Sequence, residues 1–472
     1  PNAASHSLPD SLTSTVYMPQ GLNGGARAFH CSHSHCVGVR LGDFLKHIGY
    51  ESNCPEFHSD DGLACRFVEW LDGRAMFARG AWYVWTGSYW RQDEGALKSL
   101  LKEFAQRLSR ETASEFGVAA GAGDAEAKRR LRTSSAILNE QKQSQVLKAA
   151  STLLRVESRL LDRHTDSLVT SNGTVDLRTG ALSPPDPELY STHRAGVEFD
   201  PSALAPRWTA FLDQIFRSDP ELIAYVQRLA GYFLTGSMQE EIMVVGFGHG
   251  ANGKSVFAEI LRLILGDYVC TADPSLLTAQ RAGGGPSPEA AQLAGKRLCL
   301  LNEARVGDRL DDGAVKKLVS TEKMSARKLY QEPFDFYPSA KLFLRTNHRP
   351  AIRDNSEGMW RRLHLLPFEA HFPPEKRDPR LREALESEAA GVLAWAVRGA
   401  VAWYQSDLRP PAVVTEATRT YRADSDALGE WLAERTEGGG FTTSNDLRYD
   451  YATFAGLRTP PSAAAFAGWL KE

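Results

Sequence analysis

Three consecutive segments constrain this chain more than any other feature: Ile242-Met243-Val244-Val245-Gly246-Phe247, then Gly248-His249-Gly250-Ala251-Asn252-Gly253-Lys254-Ser255, then Val256 to Leu265. The first is a short apolar run that reads as a buried strand, and the third has the length and pattern of a helix. The segment between them fits G-x-x-x-x-G-K-[ST], a loop whose N–H groups curl around a β-phosphate at a helix N-terminus. Lys254 supplies a cation for β and γ oxygens, and the Ser255 hydroxyl suits Mg²⁺. An ordinary glycine turn needs neither residue at those positions. From here to Phe368 the sequence alternates strands and helices, which predicts an α/β core.

Phosphate chemistry needs further groups, and the next strands offer them. Arg297-Leu298-Cys299-Leu300-Leu301-Asn302-Glu303 is an apolar run ending in an acid, so Glu303 is the candidate base for the attacking water. Ala340 to Asn347 ends in an amide that can hydrogen-bond that water or the γ-phosphate. Gly358-Met359-Trp360-Arg361-Arg362 sets paired arginines before the short strand Leu363 to Leu366. A guanidinium there can reach a neighbour's nucleotide and stabilise transition-state charge in trans, or can make a plain surface salt bridge.

The rest of the 472 residues is enough for three or four domains at roughly 100–200 residues each. No apolar run approaches the ~20 residues that span a bilayer, so no membrane partner is expected. A net charge of −3 excludes a uniformly basic nucleic-acid coat, yet Lys316 to Arg362 holds eleven basic against five acidic residues. Any DNA contact must be local. Six cysteines in so long a chain are too few for a disulfide scaffold, which points to a reducing, cytoplasmic compartment. Trp82 to Trp90 reads as a β-hairpin, and Asn172-Gly173 as a turn beside a short strand. Helical patterning covers Ala96 to Phe116, Val146 to Leu161, Trp208 to Leu234 and Leu381 to Tyr404, with Gly117 to Arg132 a loop or linker running into a helix.

Taken together, Gly248 to Ser255, Leu298 to Glu303, Thr321-Glu322 with Arg327 and Lys341, Asn347-His348-Arg349-Pro350 and Trp360-Arg361-Arg362 resemble superfamily 3 helicases. The closer likeness is to phage, plasmid and poxvirus primase-helicases. Asn172 to Gly180, Pro206-Arg207-Trp208 and Gly231 to Gly236 resemble the segment that precedes the P-loop there. The resemblance implies an AAA+-type motor, a homo-oligomer, expected to be a hexamer, around single-stranded or forked DNA, moving 3′ to 5′ in the bacterial host cell of a mobile element. Lys254, Ser255, Glu303, Asn347 and Arg361 or Arg362 then serve ATP and Mg²⁺, and Arg327, Lys328 and Lys341 serve DNA, with a hairpin near Arg327 pointing into the channel. Asn302 stands where many relatives carry a second acid.

The implied organisation is a zinc-binding remnant over residues 1–50, an α+β accessory domain over 51–200, a helical collar over 201–238, the motor over 239–372 and a helical, winged-helix-like tail over 373–472. Residue 1 is Pro, and by resemblance a zinc-ribbon cysteine precedes such a proline. That resemblance would make His6, Cys31 and Cys36, with His33 or His35, zinc ligands, whereas the residues by themselves read as solvated loop histidines, and a primase region is expected upstream. No acidic polymerase triad is visible before residue 170, so primer synthesis is not expected here. The alternative to a helicase is a nucleotide-gated origin-binding scaffold that does not translocate.

Overall fold

The computed structural model describes residues 15–18, 28–31, 54, 56–119, 125–277, 290–302, 309–327, 334–352, 355–425, 431–432, 434–435, 442–455 and 459–470. Two compact units emerge, one of residues 1–163 with 185–193 and one of 164–184 with 194–472.

In the first unit β1 (Thr15–Met18) and β2 (Ala28–Cys31) form an antiparallel ribbon. Helix α1 (Asp60–Leu71) starts at Ser59, whose hydroxyl accepts the Gly62 N–H, with Asp60 and Asp61 in the first turn. The aromatic tract folds as expected: β3 (Ala75–Ala78), β4 (Ala81–Trp85) and β5 (Trp90–Gln92) are an antiparallel meander, with Trp82 and Trp90 buried. Helices α2 (Glu94–Ala119), α3 (Ala125–Ala136) and α4 (Glu140–Leu153) complete the unit. The stretch read as a loop or linker running into a helix is helical over 117–119 and again from Ala125. Its alanines and long cations favour helix, and Ser134 is pinned by a 2.7 Å bond to buried Thr112 of α2. Cys54 and Cys65 are disulfide-bonded, a pairing that the low cysteine count did not suggest.

The second unit opens with β6 (Ser167–Val169), β7 (Thr174–Asp176) and β8 (Leu182–Ser183), turned at Asn172-Gly173. The helical pattern from Trp208 to Leu234 divides into α5 (Pro206–Ile215) and α6 (Pro220–Leu234). Arg217 and Ser218 are left-handed, at φ 54° and 56°, and Asp219 caps the restart by accepting N–H bonds from Glu221 and Leu222. Proline at the first helical position suits that restart.

The central sheet contains β9 (Met243–Phe247), β10 (Val269–Ala272), β11 (Leu298–Leu301), β14 (Lys341–Thr346) and β15 (Leu363–Pro367), all parallel, in the order β10-β11-β14-β9-β15. Between them lie α7 (Lys254–Leu265), α8 (Asp312–Leu318), the antiparallel pair β12 (Met324–Ala326) and β13 (Phe334–Phe336), and α9 (Glu357–Trp360). Alternation assigns the two faces. Val244, Leu300 and Phe343 pack with Phe257 and Leu261 of α7, whereas Met243, Val245, Leu301 and Leu344 pack with Val315 and Leu318 of α8. Burial on both sides explains why these strands read as continuous apolar runs.

After β15 come α10 (Leu381–Glu386), α11 (Ala389–Ser406) and α12 (Ala412–Ser425). α12 covers the β15 edge, where the Leu365 N–H donates to Thr418 Oγ1 at 3.0 Å. α13 (Ser444–Phe454) and α14 (Ala463–Trp469) close the tail, and no strand occurs there among the described residues.

Candidate nucleotide site

Open parallel sheets bind ligands beyond the carboxyl ends of their strands, where neighbouring connections diverge. Here the chain leaves β9 toward the β10 edge and leaves β14 across β9 to β15, so the crevice lies between the tips of β9 and β14. The P-loop sits at that point. Gly253 has φ +87°, and a Cβ there would lie 2.6 Å from Ile215 Cγ2; a Cβ on Gly248 would collide with the Phe368 carbonyl. Buried Asn252 braces the loop, its Nδ2 donating to Phe368 O at 3.1 Å and its Oδ1 accepting the Lys254 N–H at 3.4 Å. The Phe372 N–H donates to Ala251 O at 2.9 Å. The cradle is therefore fastened to the segment that follows β15.

Lys254 is buried at 6% exposure, and its ammonium donates to Gly248 O and, at 2.9 Å, to Asn347 Oδ1. Two motifs far apart in sequence meet in this bond. It follows from the sheet order, because β14 lies beside β9 with Thr346 opposite Phe247. Ser255 and His249 are exposed. A glycine-lined loop on a helix N-terminus, with a lysine within and a free-facing hydroxyl on the first turn, fits a phosphate chain and its Mg²⁺. At the β11 tip Asn302 Oδ1 accepts from Arg345 Nη2 at 3.2 Å, a contact that residue patterning did not anticipate.

The paired arginines separate. Arg362 is 13% exposed, donating to Glu241 at 2.7 Å and to Gly358 O at 2.6 Å, whereas Arg361 is 61% exposed, with Glu241 at 3.8 Å.

Lys341 requires correction as a DNA contact. It is fully buried at the start of β14, with its ammonium donating to Thr235 O and Ser339 O and lying 4.8 Å from the Tyr232 ring centroid. Burial, with Arg297 nearby, holds its pKa well below the usual lysine range. A side chain without solvent access cannot meet a DNA backbone in this fold. Arg297 is its companion, donating to Leu234 O, His164 O and Ser167 O. Together the two cations cap the carbonyl end of α6, where the helix dipole is negative. Only polar residues at the head of apolar runs hinted at this in the sequence.

Arg327 is exposed at the end of β12, and β12–β13 is a hairpin with Ala326 opposite Phe334. Glu303, Lys328, His6, His33, His35 and Cys36 lie outside the described residues, and of Cys31 only the backbone is described. Among the described residues, Cys54, Cys65 and Glu69 form a group with metal-ligand spacing, but both thiols are committed to the disulfide.

Comparison with known proteins agrees with this geometry. Residues 64–217 match the family described as "D5 N terminal like", and residues 247–362 match a "Family of unknown function (DUF5906)". "Putative helicase L207/L206" of Acanthamoeba polyphaga mimivirus is 29% identical over 298 residues, 58% of this chain and 31% of that protein. "Putative primase C962R" of African swine fever virus (strain Badajoz 1971 Vero-adapted) is 25% identical, over 64% of this chain and 34% of that protein.

The chain carries a D5 N-terminal-like region and a DUF5906 region, and it is similar to viral proteins named as helicases and primases. A further relative, "Putative helicase 022R" of Frog virus 3, is 25% identical over 48% of this chain and 25% of its own length. The matched region thus spans about a third or less of these relatives. Among solved structures, the apo C-terminal region of NrS-1 aligns at TM-score 0.36 and 12% identity, covering 56% of this chain and 69% of that one. No described helix is long and apolar enough to cross a membrane.

Proposed function

We propose that this chain is the motor of an ATP-dependent DNA helicase in the replication of a phage, plasmid or other mobile element. The observation that carries the reading is the Lys254 to Asn347 bond at 2.9 Å, which joins the P-loop to the tip of the adjacent strand. In this reading the loop N–H groups and Lys254 bind the β- and γ-phosphates, and the Asn347 amide moves from Lys254 to the γ-phosphate or the attacking water when nucleotide arrives. Glu303 takes the proton of that water as its oxygen attacks phosphorus. Mg²⁺, held from the Ser255 hydroxyl and the acid strand, supplies charge neutralisation on the phosphate oxygens. Leaving-group charge is stabilised by a guanidinium from a neighbouring subunit, and the exposure of Arg361 favours it over the tethered Arg362.

Arg327, which follows β12, is with its neighbour in sequence Lys328 the proposed contact with single-stranded DNA, in a ring translocating 3′ to 5′. Strand displacement on a forked duplex tests the whole reading. Hydrolysis that is stimulated by DNA and accompanied by displacement supports it. Hydrolysis without displacement at matched salt would favour the origin-binding scaffold, and primer synthesis on a bare template would show chemistry outside this proposal.

A further inference from the structure

The acid strand ends in an amide where a second acid was expected, and the structure gives that amide a partner. Asn302 Oδ1 accepts from Arg345 Nη2 at 3.2 Å. The orientation is fixed by chemistry, because guanidinium has no acceptor and only the carbonyl side of the carboxamide can receive its N–H. The Asn302 NH₂ is therefore left to donate elsewhere. Arg345 Nε is itself buried without a hydrogen-bond partner.

Strand alternation sets both residues on the phosphate side. On β14, Arg345 has the parity of Phe343, which packs with α7, and Asn347 continues that parity. On β11, Asn302 has the parity of Leu300, which packs on the same face. Asn302, Arg345 and Asn347 thus line up at adjacent strand tips on the face that carries the P-loop helix. Asn302 is exposed and Arg345 half-buried, and Arg345 stands two residues before Asn347, whose Oδ1 accepts from Lys254. A donor-rich, cationic pair suits an anion and not a metal: N–H groups repel Mg²⁺, whereas phosphate oxygens accept them.

We propose that Asn302 and Arg345 form a phosphate-binding pair that reads the terminal phosphate of a nucleoside triphosphate, so that Asn302 is not a vestigial metal ligand. This rests on the nucleotide reading above and deepens it. The outer guanidinium N–H groups of half-buried Arg345 and the Asn302 NH₂ supply the donors to γ-oxygens, and the bond between the side chains keeps both aimed alike.

The test is equilibrium binding of fluorescent mant-ATP and mant-ADP to wild type, N302D, R345Q and K254A, in Mg²⁺ and in EDTA, with thermal melting to verify folding. Losing a charge-assisted donor weakens binding by about tenfold or more. N302D and R345Q should show that loss for mant-ATP in both media, with mant-ADP changed by less than about twofold on the same scale. N302D binding Mg²⁺-ATP as tightly as wild type, or more tightly, would make position 302 a metal-ligand position and overturn the proposal. Equal weakening of ATP and ADP would overturn it too, since the pair would then not read the terminal phosphate. Wild type no tighter than K254A would instead bring down the nucleotide reading and this one with it.

Discussion

At the scale of single residues the site is poised around one ammonium. Lys254 donates to Gly248 O and Asn347 Oδ1, so its position is held by the protein's own groups. Replacing it with alanine should reduce ATP hydrolysis by at least about a hundredfold, because the developing charge on the phosphate loses its nearest cation. Turnover and melting temperature measured together check this, and a large fall in melting temperature would point to a structural role instead. His364 yields a second prediction. Its Nδ1 lies 2.8 Å from the Tyr225 hydroxyl, and burial pushes its pKa down to about 4 from an ordinary value of 6.5. Between those values the unfolded chain binds the extra proton, so the stability is present above pH 6.5 and is lost as pH falls toward 4. The loss is about 3 kcal/mol at one proton. Urea titrations at stepped pH should show that slope in wild type and a flatter one in H364N. The P-loop lysine was legible because its neighbours form a motif. Arg345 and Arg297 were not, because a lone arginine in a strand or just before one carries no pattern until the fold supplies its partner.

At the scale of elements, the sequence named most strands and helices but misjudged their breaks. Trp208 to Leu234 keeps helical periodicity across Arg217-Ser218, so only Asp219-Pro220 marked the new start. The basic, alanine-rich stretch does run into a helix, as its residues suggested, and the Ser134 to Thr112 bond ties that helix to α2. The crossing of α6 and α11 was hidden, since it depends on two glycines. A Cβ on Gly231 would overlap the Ala400 backbone, and one on Gly399 would overlap the Gln227 carbonyl. Backbone cannot yield as a side chain can, so G231A or G399A should cost about 1–3 kcal/mol or more. G117A is the contrast, because nothing lies within 4 Å of its Cβ position. Denaturant midpoints with unchanged slopes would measure the difference. If both classes of variant unfolded alike, close backbone approach would not be what holds the two helices together.

At the scale of the whole molecule the question is whether the site is complete in one chain. With buried Lys341 set aside, ten basic residues still stand against five acidic over 316–362 in a chain of net charge −3, a balance that suits the basic channel of the proposed ring. Arg361 is 61% exposed and 3.8 Å from Glu241, whereas Arg362 is anchored by two bonds, so in the proposed ring Arg361 is the better candidate for a neighbour's nucleotide. R361A should therefore lose hydrolysis by about a thousandfold while retaining nucleotide binding, and R362A should instead lower the melting temperature by loosening Glu241 and Gly358. Mixing settles the direction of supply. K254A lacks the phosphate lysine but keeps the finger, and R361A keeps the lysine but lacks the finger. In a randomly mixed ring of equal parts, about a quarter of the interfaces join an intact lysine to an intact finger. DNA-stimulated hydrolysis should return in the mixture although each variant alone is silent. If the finger acted within its own subunit, no mixed ring could assemble a complete site, and the mixture would stay as inactive as its components.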